Sequence, residues 1–202
     1  MARRVTRSPR VRARSVSSRG ISSPSSRRHW RGSRRQAGPR HRVGGATVRA
    51  TEVATASPEE TEALGAALGR AARGGELLGL VGELGAGKTC LVRGLAAGLG
   101  IDPAHVHSPS FTIATEYRGG RLPLTHVDLY RLARPDDEEP LLRDALYGAG
   151  VAAVEWFDRL APVPDDEVLL ITLRFTTGEG RAIEFAPRGE RHRALLERAV
   201  LA

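Results

Sequence analysis

The sequence predicts an α/β fold, a sandwich built on a mixed sheet with one half rich in hairpins. Three observations support this prediction. A short apolar strand, a glycine-rich loop and a helix with regularly spaced leucines follow one another between residues 77 and 99. Two pairs of β-rich segments are each joined by a glycine-containing turn. The apolar run 150–155 predicts a buried strand, and helices mixed with both kinds of strand are typical of an α/β sandwich.

Charge is divided unevenly along the 202 residues, whose formal net charge is +8. Residues 1–50 contain 15 arginines and no Asp or Glu, so the remaining residues carry 16 basic and 23 acidic side chains. Residues 1–45, rich in Arg and Ser, lack apolar periodicity and are predicted to form a disordered tail. Residues 46–202 are predicted to form a single domain, because a segment of about 150 residues suits one compact core.

Three roles remain open for the 1–45 tail. It could bind RNA through phosphate contacts, act as a transit-like targeting sequence, or be an extension without a role. The isoelectric point near 10.9 reflects this tail. It therefore does not predict nucleic-acid binding by residues 46–202, for which we expect no DNA partner.

The composition also indicates a cellular setting. No apolar run approaches the roughly 20 residues of a membrane span, and no signal-peptide core is evident. Cys90 is the only cysteine, which excludes an intramolecular disulfide or a cysteine metal cluster. We therefore expect a cytoplasmic protein without a membrane partner.

The first elements of the domain have clear boundary signals. Ser57 at the cap and Glu60 three residues later predict the start of a helix, which ends near Arg73. Residues 77–81 form the apolar strand. The helix after the glycine loop is predicted to stop at Gly100, since glycine favours the left-handed conformation of a helix end.

The later elements alternate between hairpins and buried segments. Strands are predicted at 108–117 and 122–130 and again at 168–175 and 181–185, because both pairs are rich in β-forming residues. Between and after these hairpins lie an acidic helix, a buried strand and a final helix, at residues 136–147, 150–155 and 195–200.

The glycine loop carries the clearest chemical signal. The run GELGAGKT, residues 82–89, fits the phosphate-binding pattern G-x-x-x-x-G-K-[ST] at every fixed position. Its glycines allow successive N–H groups to point at one anion. Lys88 is the only lysine among 31 basic residues, and its slim ammonium reaches phosphates beneath a loop where a guanidinium fork does not fit. With the flanking strand and helix, this motif predicts a P-loop NTPase-like sandwich that binds a nucleoside triphosphate, and the residues alone leave open whether that is ATP or GTP.

Magnesium on such a nucleotide requires oxygen ligands from the protein. Thr89 supplies the hydroxyl of the motif. Asp128 and Glu155 each lie at the end of a predicted strand and compete for the carboxylate role. His126 is predicted to lie on the same face as Asp128, because side chains alternate along a strand. The residues alone leave open which carboxylate is the direct ligand.

Four segments together resemble one protein family. In order, GELGAGKT, SPSFTIATEY, HVDLYRL and VEW are similar to the motifs of the TsaE (YjeE) family, over about residues 52–186. The resemblance implies a small P-loop ATPase with ATP and Mg²⁺ as cofactors. It further implies an accessory role in threonylcarbamoyladenosine modification of tRNA, beside the anticodon. The protein would act with the TsaD–TsaB complex and serve tRNA indirectly, with hydrolysis that is weak alone and dependent on these partners.

The same resemblance implies roles for individual residues. Lys88 and Asp128 would serve catalysis, with Asp128 in a Walker-B-like role, and Thr89 and Glu155 would hold magnesium. Residues 108–112 would form a switch-like loop near the γ-phosphate. Contacts to the nucleotide would come from Gly82, Gly85, Ala86, Gly87, Lys88, Thr89, Cys90, Pro58, Asp158 and Arg181.

This chain departs from the family motifs at three positions. Cys90 stands where a second Thr is usual, which removes one hydroxyl contact but keeps the backbone N–H. Ser110 replaces a common Thr, and Phe157 replaces a frequent Pro. Two other classes of function remain open: a small-molecule kinase, for which no arginine-rich lid is evident, and an RNA-binding module with a vestigial P-loop.

Overall fold

A computed structural model describes residues 51–109, 112–132, 146, 148–160 and 167–201. The predicted 1–45 tail lies outside these residues, as does all of the predicted acidic helix except Leu146, which is buried. The strands are β1 Thr51–Thr55, β2 Glu76–Val81, β3 Ala114–Tyr117, β4 Leu124–Asp128, β5 Val151–Glu155, β6 Val168–Phe175 and β7 Arg181–Arg188. The helices are α1 Pro58–Ala71, α2 Lys88–Leu99 and α3 Glu190–Leu196, the last followed by a π-helical turn at Glu197–Leu201.

The seven strands form one mixed sheet in the order β1-β7-β6-β2-β5-β4-β3. β2 lies at its centre, parallel to both β5 and β6, and β4 is parallel to β5. The outer strands β3, β7 and β1 pair antiparallel with their neighbours. The predicted α/β class, mixed sheet and two hairpins are therefore confirmed. Because β2, β4 and β5 are parallel, their carboxyl ends meet at one edge of the sheet.

Apolar side chains cover both faces of the central strands. Leu78 and Leu80 of β2 belong to a core beneath α1, α2 and α3, whereas Leu77 belongs to a second core on the opposite face. This second core includes Phe157, whose ring contacts Gly79 so closely that a Cβ atom there would lie 2.5 Å from the ring. The arrangement explains why the β2 segment is apolar at nearly every position.

Helices α1 and α2 approach each other more closely than ordinary side chains allow. A Cβ atom at Gly94 would lie 2.0 Å from the Glu62 carbonyl oxygen, and one at Gly98 would lie 2.2 Å from that of Ala66. Since Glu62 faces Gly94 and Ala66 faces Gly98, the two helices run parallel. Their amino ends therefore lie together, at the carboxyl edge of the sheet. Ser57 caps α1 as predicted, accepting a hydrogen bond from the Glu60 N–H at 3.3 Å.

The prediction of a strand beginning at residue 108 is wrong for the described residues. β3 begins only at Ala114. Before it, the Pro109 carbonyl accepts hydrogen bonds from the N–H groups of Thr112 and Ile113, at 3.0 and 2.9 Å, which closes a turn. Ile113 then adopts a left-handed φ of 64°. A local turn therefore precedes the strand, and β propensities alone do not predict it.

β1 has no counterpart among the elements predicted from the sequence. It pairs antiparallel with β7 at the edge of the sheet, with Val53 opposite Ile183. Val53 and Thr55 are buried while Glu52 and Ala54 are exposed, so the strand alternates over only five residues. A segment this short carries too little periodic signal to be separated from the preceding basic segment.

Candidate nucleotide-binding site

The loop between β2 and α2 is shaped by glycines with positive φ. Gly82, Gly85 and Gly87 have φ values of 153°, 80° and 101°. At Gly82 a Cβ atom would lie 2.5 Å from the Leu173 carbonyl oxygen, so a larger residue would clash. Because Gly87 caps α2 without a side-chain hydrogen bond, the N–H groups of the first helical turn are left to bind an anion.

The Lys88 side chain folds back against this loop. Lys88 is only 4% exposed, and Nζ donates hydrogen bonds to the carbonyl oxygens of Gly82 and Glu83, at 2.7 and 2.9 Å. The indole ring of Trp156 lies 3.9 Å from Nζ, measured to the ring centroid. The ammonium is thus held between backbone dipoles and an aromatic face.

Carboxylates surround this buried cation. Burial lowers the pKa of Lys88, and the negative charges of Glu155, Asp128 and Asp158 oppose that effect. The three carboxylates thus favour the ammonium form of Lys88 despite its burial.

Glu155 connects the loop to the neighbouring strand. It ends β5, directly beside β2, and is 4% exposed. Its Oε1 atom accepts hydrogen bonds from the Thr89 hydroxyl at 2.7 Å and from Nε2 of His126 at 2.9 Å. The two residues predicted to hold magnesium, Thr89 and Glu155, are therefore in direct contact.

Asp128 lies next to Glu155 on the adjacent strand. The two residues are paired in register across β4 and β5. One carboxylate oxygen of Asp128 accepts a hydrogen bond from the Ser108 hydroxyl at 2.5 Å, and the other accepts one from the Tyr130 N–H at 2.9 Å. The backbone N–H of Asp128 donates to the carbonyl of Ile113 at 2.9 Å. Asp128 is thus tied through its side chain to Ser108 of the segment predicted to be switch-like, and through its backbone to Ile113, directly after that segment.

A cleft of about 440 Å³ opens over these groups. Of the predicted site residues, Gly85, Gly87, Lys88, Thr89, Cys90, Asp128 and Glu155 line it. Trp156 closes one side in a left-handed conformation, with φ 59° and ψ 40°. Non-glycine residues rarely adopt this conformation, which is found more often at functional sites. The Tyr130 ring packs beside the Trp156 ring with centroids 4.9 Å apart.

The remaining predicted contacts lie outside the lining of this cleft. Gly82 and Ala86 contribute to the loop itself, and Ala86 is wholly buried. Arg181 donates to the carbonyl oxygens of Ala86 and Gly85, at 2.9 and 3.3 Å, and therefore supports the loop from behind. Asp158 is exposed in the 3₁₀ turn after Trp156.

Pro58 reaches the site through its backbone. Its carbonyl oxygen lies 3.2 Å from Sγ of Cys90, which donates a weak hydrogen bond to it. Burial raises the pKa of the Cys90 thiol, and the nearby Glu62 carboxylate adds to this effect. Cys90 is therefore a neutral thiol near pH 7, which joins the amino ends of α1 and α2.

Sequence reasoning assigned no role to several residues that line the cleft, among them Arg93, Tyr130 and Arg131. Tyr130 and Arg131 follow directly after β4, where its carboxyl end opens into the site. Their position after Asp128 was a usable signal, because ligands of parallel sheets bind beyond the carboxyl ends of strands. Arg93 offered no such signal, since it lies within α2 and is held by Glu62 at 2.9 Å.

The oxygen groups of this cleft suit magnesium. The Thr89 hydroxyl and the carboxylates of Glu155 and Asp128 are hard ligands of the kind that Mg²⁺ prefers. Among the described residues, no group of three or more His, Cys, Asp or Glu side chains could hold a metal ion. The hydroxyl and the two carboxylates would leave the other ligand positions of a magnesium ion to phosphates and water, as is usual in nucleotide sites. No helix within the described ranges is long and apolar enough to cross a membrane.

Known proteins share this architecture. A crystal structure of YdiB from Bacillus subtilis superposes with a TM-score of 0.64 and 36% sequence identity, covering 76% of this chain and 95% of YdiB. This agreement supports the P-loop NTPase-like fold.

Sequence relatives point to the same family. The chain is 41% identical over 144 residues to the tRNA threonylcarbamoyladenosine biosynthesis protein TsaE of Bacillus subtilis strain 168, which covers 71% of this chain and 89% of that protein. The protein of the same name from Treponema pallidum is 40% identical over 131 residues, covering 64% of this chain and 96% of the relative. The model of the family described as threonylcarbamoyl adenosine biosynthesis protein TsaE matches residues 55–183. The chain therefore belongs to the TsaE family.

Proposed function

We propose that this protein binds and hydrolyses ATP as an accessory factor in threonylcarbamoyladenosine modification of tRNA, at the adenosine beside the anticodon. Its partners in this proposal are TsaD and TsaB, and tRNA is served indirectly. The observation that carries the proposal is the contact between Thr89 of the glycine loop and Glu155 of the adjacent strand, beside the buried Lys88. The names of the relatives supply the pathway.

Lys88 would bind the β- and γ-phosphates. Its ammonium already lies under the loop, held by two neutral carbonyl acceptors. Replacing these acceptors with phosphate oxygens would turn neutral contacts into charge-assisted ones, which are roughly twice as strong. The N–H groups at the start of α2 would bind the same phosphates, because the positive end of the helix dipole lies there.

Thr89 and Glu155 would hold magnesium, with Asp128 nearby. When bound, the ion would neutralise charge that develops on the phosphates during transfer. Asp128 would orient the attacking water, since its carboxylate is fixed by Ser108 and by the Tyr130 N–H. Ser108 belongs to the segment predicted to be switch-like, so the orientation of Asp128 would depend on the position of that segment.

Two further features support an indirect role at tRNA. Residues 51–202 carry 16 basic and 23 acidic side chains, so the domain lacks the positive field of a typical RNA-binding module. Arginine side chains that could otherwise meet phosphates are used inside the fold. Arg121, for example, donates to the carbonyls of Gly69 and Ala72 at the end of α1. A cytoplasmic location, where tRNA is modified, is part of the proposal.

A pull-down with purified TsaD and TsaB tests this function. We expect TsaD and TsaB to retain the full chain in the presence of ATP. With ADP or without nucleotide, the amount retained should fall by at least about tenfold. Lys88→Ala should lose the ATP-dependent retention while remaining folded. A complex that forms equally well with and without nucleotide, and equally well with Lys88→Ala, would contradict the proposed role of ATP.

A further inference from the structure

His126 is wholly buried behind the nucleotide site. It belongs to β4, two residues before Asp128, and its side chain has no exposed surface. Nε2 lies 2.9 Å from Oε1 of Glu155. Nδ1 has no hydrogen-bond partner, and it is the only buried side-chain nitrogen or oxygen of the described residues without one. One ring nitrogen therefore makes a single, specific contact and the other makes none.

The contact fixes which nitrogen carries the proton. An ionised carboxylate only accepts hydrogen bonds, so Nε2 of His126 must be the donor to Glu155. Nδ1 is then left as a buried polar atom without compensation, which disfavours the folded state. An apolar residue would fill the same space without this cost. The histidine is consequently not explained by packing, and its bond to Glu155 is the one interaction that it adds.

The other wholly buried histidine shows the contrast. His192 uses both ring nitrogens: Nε2 accepts from the Leu77 N–H at 3.0 Å, and Nδ1 contacts the Arg188 carbonyl at 3.1 Å. His192 therefore links α3 to β2, a structural role in which both ring nitrogens have partners. His126, by comparison, is satisfied only on the side of the cleft carboxylate.

We propose that His126 is a positioning residue for magnesium binding, which it serves by holding the Glu155 carboxylate through Oε1. This inference rests on the proposed function. Oε1 receives both the Thr89 hydroxyl and the His126 N–H, and these two donors belong to different elements, α2 and β4. Two donors on one oxygen fix the carboxylate plane, which otherwise rotates easily about its last bond. Residues that orient a metal ligand in this way typically raise metal affinity by about 10–100-fold.

The test measures how strongly magnesium and nucleotide binding are coupled. A fluorescent ATP analogue is titrated against the full chain with saturating magnesium and again with EDTA, and the ratio of the two affinities is compared among variants. His126→Leu should reduce this ratio by about tenfold, while the affinity in EDTA changes by less than about twofold. A purely structural role would lower both affinities together.

Two amide variants, His126→Gln and His126→Asn, make the test more specific. They also replace His126→Leu if that variant does not fold. His126→Gln places a donor at the reach of Nε2 and should restore the ratio to within about threefold of wild type. His126→Asn carries its amide at the reach of Nδ1, cannot bond Glu155, and should resemble the leucine variant. In a Glu155→Gln background, His126→Leu should add less than about a twofold change, because the two side chains act as one unit. His192→Gln is the matched control and should keep the wild-type ratio.

The outcomes separate this inference from the proposed function. If wild type binds the analogue in a magnesium-dependent way but folded His126→Leu and His126→Asn match it, the positioning role is wrong and the ATP site stands. The positioning role is equally wrong if His126→Gln is no better than His126→Asn. If wild type shows no magnesium-dependent binding, the proposed function fails and this inference fails with it.

Discussion

The two ends of strand β2 each bury a carboxylate and a histidine, but the two pairs have different partners. At the amino end, Glu76 and His192 are bonded to the backbone: Glu76 accepts from two N–H groups of the preceding turn, and His192 accepts from the Leu77 N–H. At the carboxyl end, Glu155 and His126 are bonded to side chains and border a cleft. Each side-chain polar atom of Glu76 and His192 has a backbone partner, and Nδ1 of His192 also lies 3.3 Å from the Glu167 carboxylate. At the site, by contrast, Nδ1 of His126 has no partner.

This comparison assigns stability to one end and chemistry to the other. The carboxyl end also contains the buried Lys88 and both described non-glycine residues with left-handed φ, Ile113 and Trp156. Each of these features costs free energy in the folded state. The close packing of α1 on α2 and the saturated network at Glu76 offset such costs elsewhere. Substitutions at the amino end should therefore lower the free energy of unfolding, whereas substitutions at the carboxyl end should lower ATP binding or hydrolysis and leave stability nearly unchanged.

The largest expected effect is at the amino end. Glu76→Leu would leave the N–H groups of Arg73 and Gly74 without the acceptors that now lie 2.7 Å away. Losing these two part-buried hydrogen bonds to a charged carboxylate should lower the free energy of unfolding by about 3 kcal/mol. Glu76→Gln, which keeps one acceptor, should lose about half as much. Urea unfolding measures both, and a loss below about 1 kcal/mol for Glu76→Leu would show that this network does not stabilise the fold.

The complementary effect is at Asp128. Asp128→Asn keeps the side-chain volume but removes the charge, so partner-stimulated ATP hydrolysis should fall by about a hundredfold, the scale of a lost positioned base. Affinity for ATP should stay within a few-fold, and the free energy of unfolding should change by less than about 1 kcal/mol. Steady-state hydrolysis and urea unfolding distinguish these effects. A variant that hydrolyses ATP normally would remove Asp128 from the mechanism.

Several features of the carboxyl end of β2 could be predicted from the sequence. The GELGAGKT run located the loop, and its flanks identified β2 and α2, because phosphate binding imposes fixed residues at fixed spacing. Alternation along β4 placed His126 on the face of Asp128. The start of β3 could not be foreseen, since the turn at Pro109 and the left-handed Ile113 depend on tertiary contacts with Asp128. β1 was too short to give a periodic signal.

The site was less predictable than the fold. Strand-end carboxylates were recognisable as candidates, but only the parallel pairing of β4, β5 and β2 shows that Glu155, rather than Asp128, contacts Thr89. The bond from His126 to Glu155 joins residues 29 positions apart, and no local pattern encodes it. The contact of Trp156 with Lys88 likewise follows from a left-handed backbone that sequence does not favour.

The smallest expected effect is the pH dependence of stability that His192 contributes. Burial lowers the pKa of His192 below its ordinary value near 6.5, while Glu167 and the Arg188 carbonyl partly oppose this and Arg191 adds to it. The unfolded chain therefore binds the proton more readily. The stabilising contribution of His192 is complete above about pH 6.5 and is lost as the pH falls below it. Thermal unfolding from pH 7 down to pH 5 should show a smaller loss of stability in His192→Gln than in wild type, and parallel curves would contradict this assignment.

The claim that the carboxyl end of β2 binds Mg·ATP through one ammonium is tested most directly by calorimetric titration of wild type, Lys88→Ala and Lys88→Arg. Nζ already lies beneath the loop, 2.7 Å from the Gly82 carbonyl oxygen, and we expect the wider guanidinium fork not to fit there. We predict that both variants fold and that each binds Mg·ATP at least about tenfold more weakly than wild type, as expected for a lost charge-assisted contact. Wild-type affinity in Lys88→Arg would contradict the account, because any cation would then serve where the chain retains its only lysine.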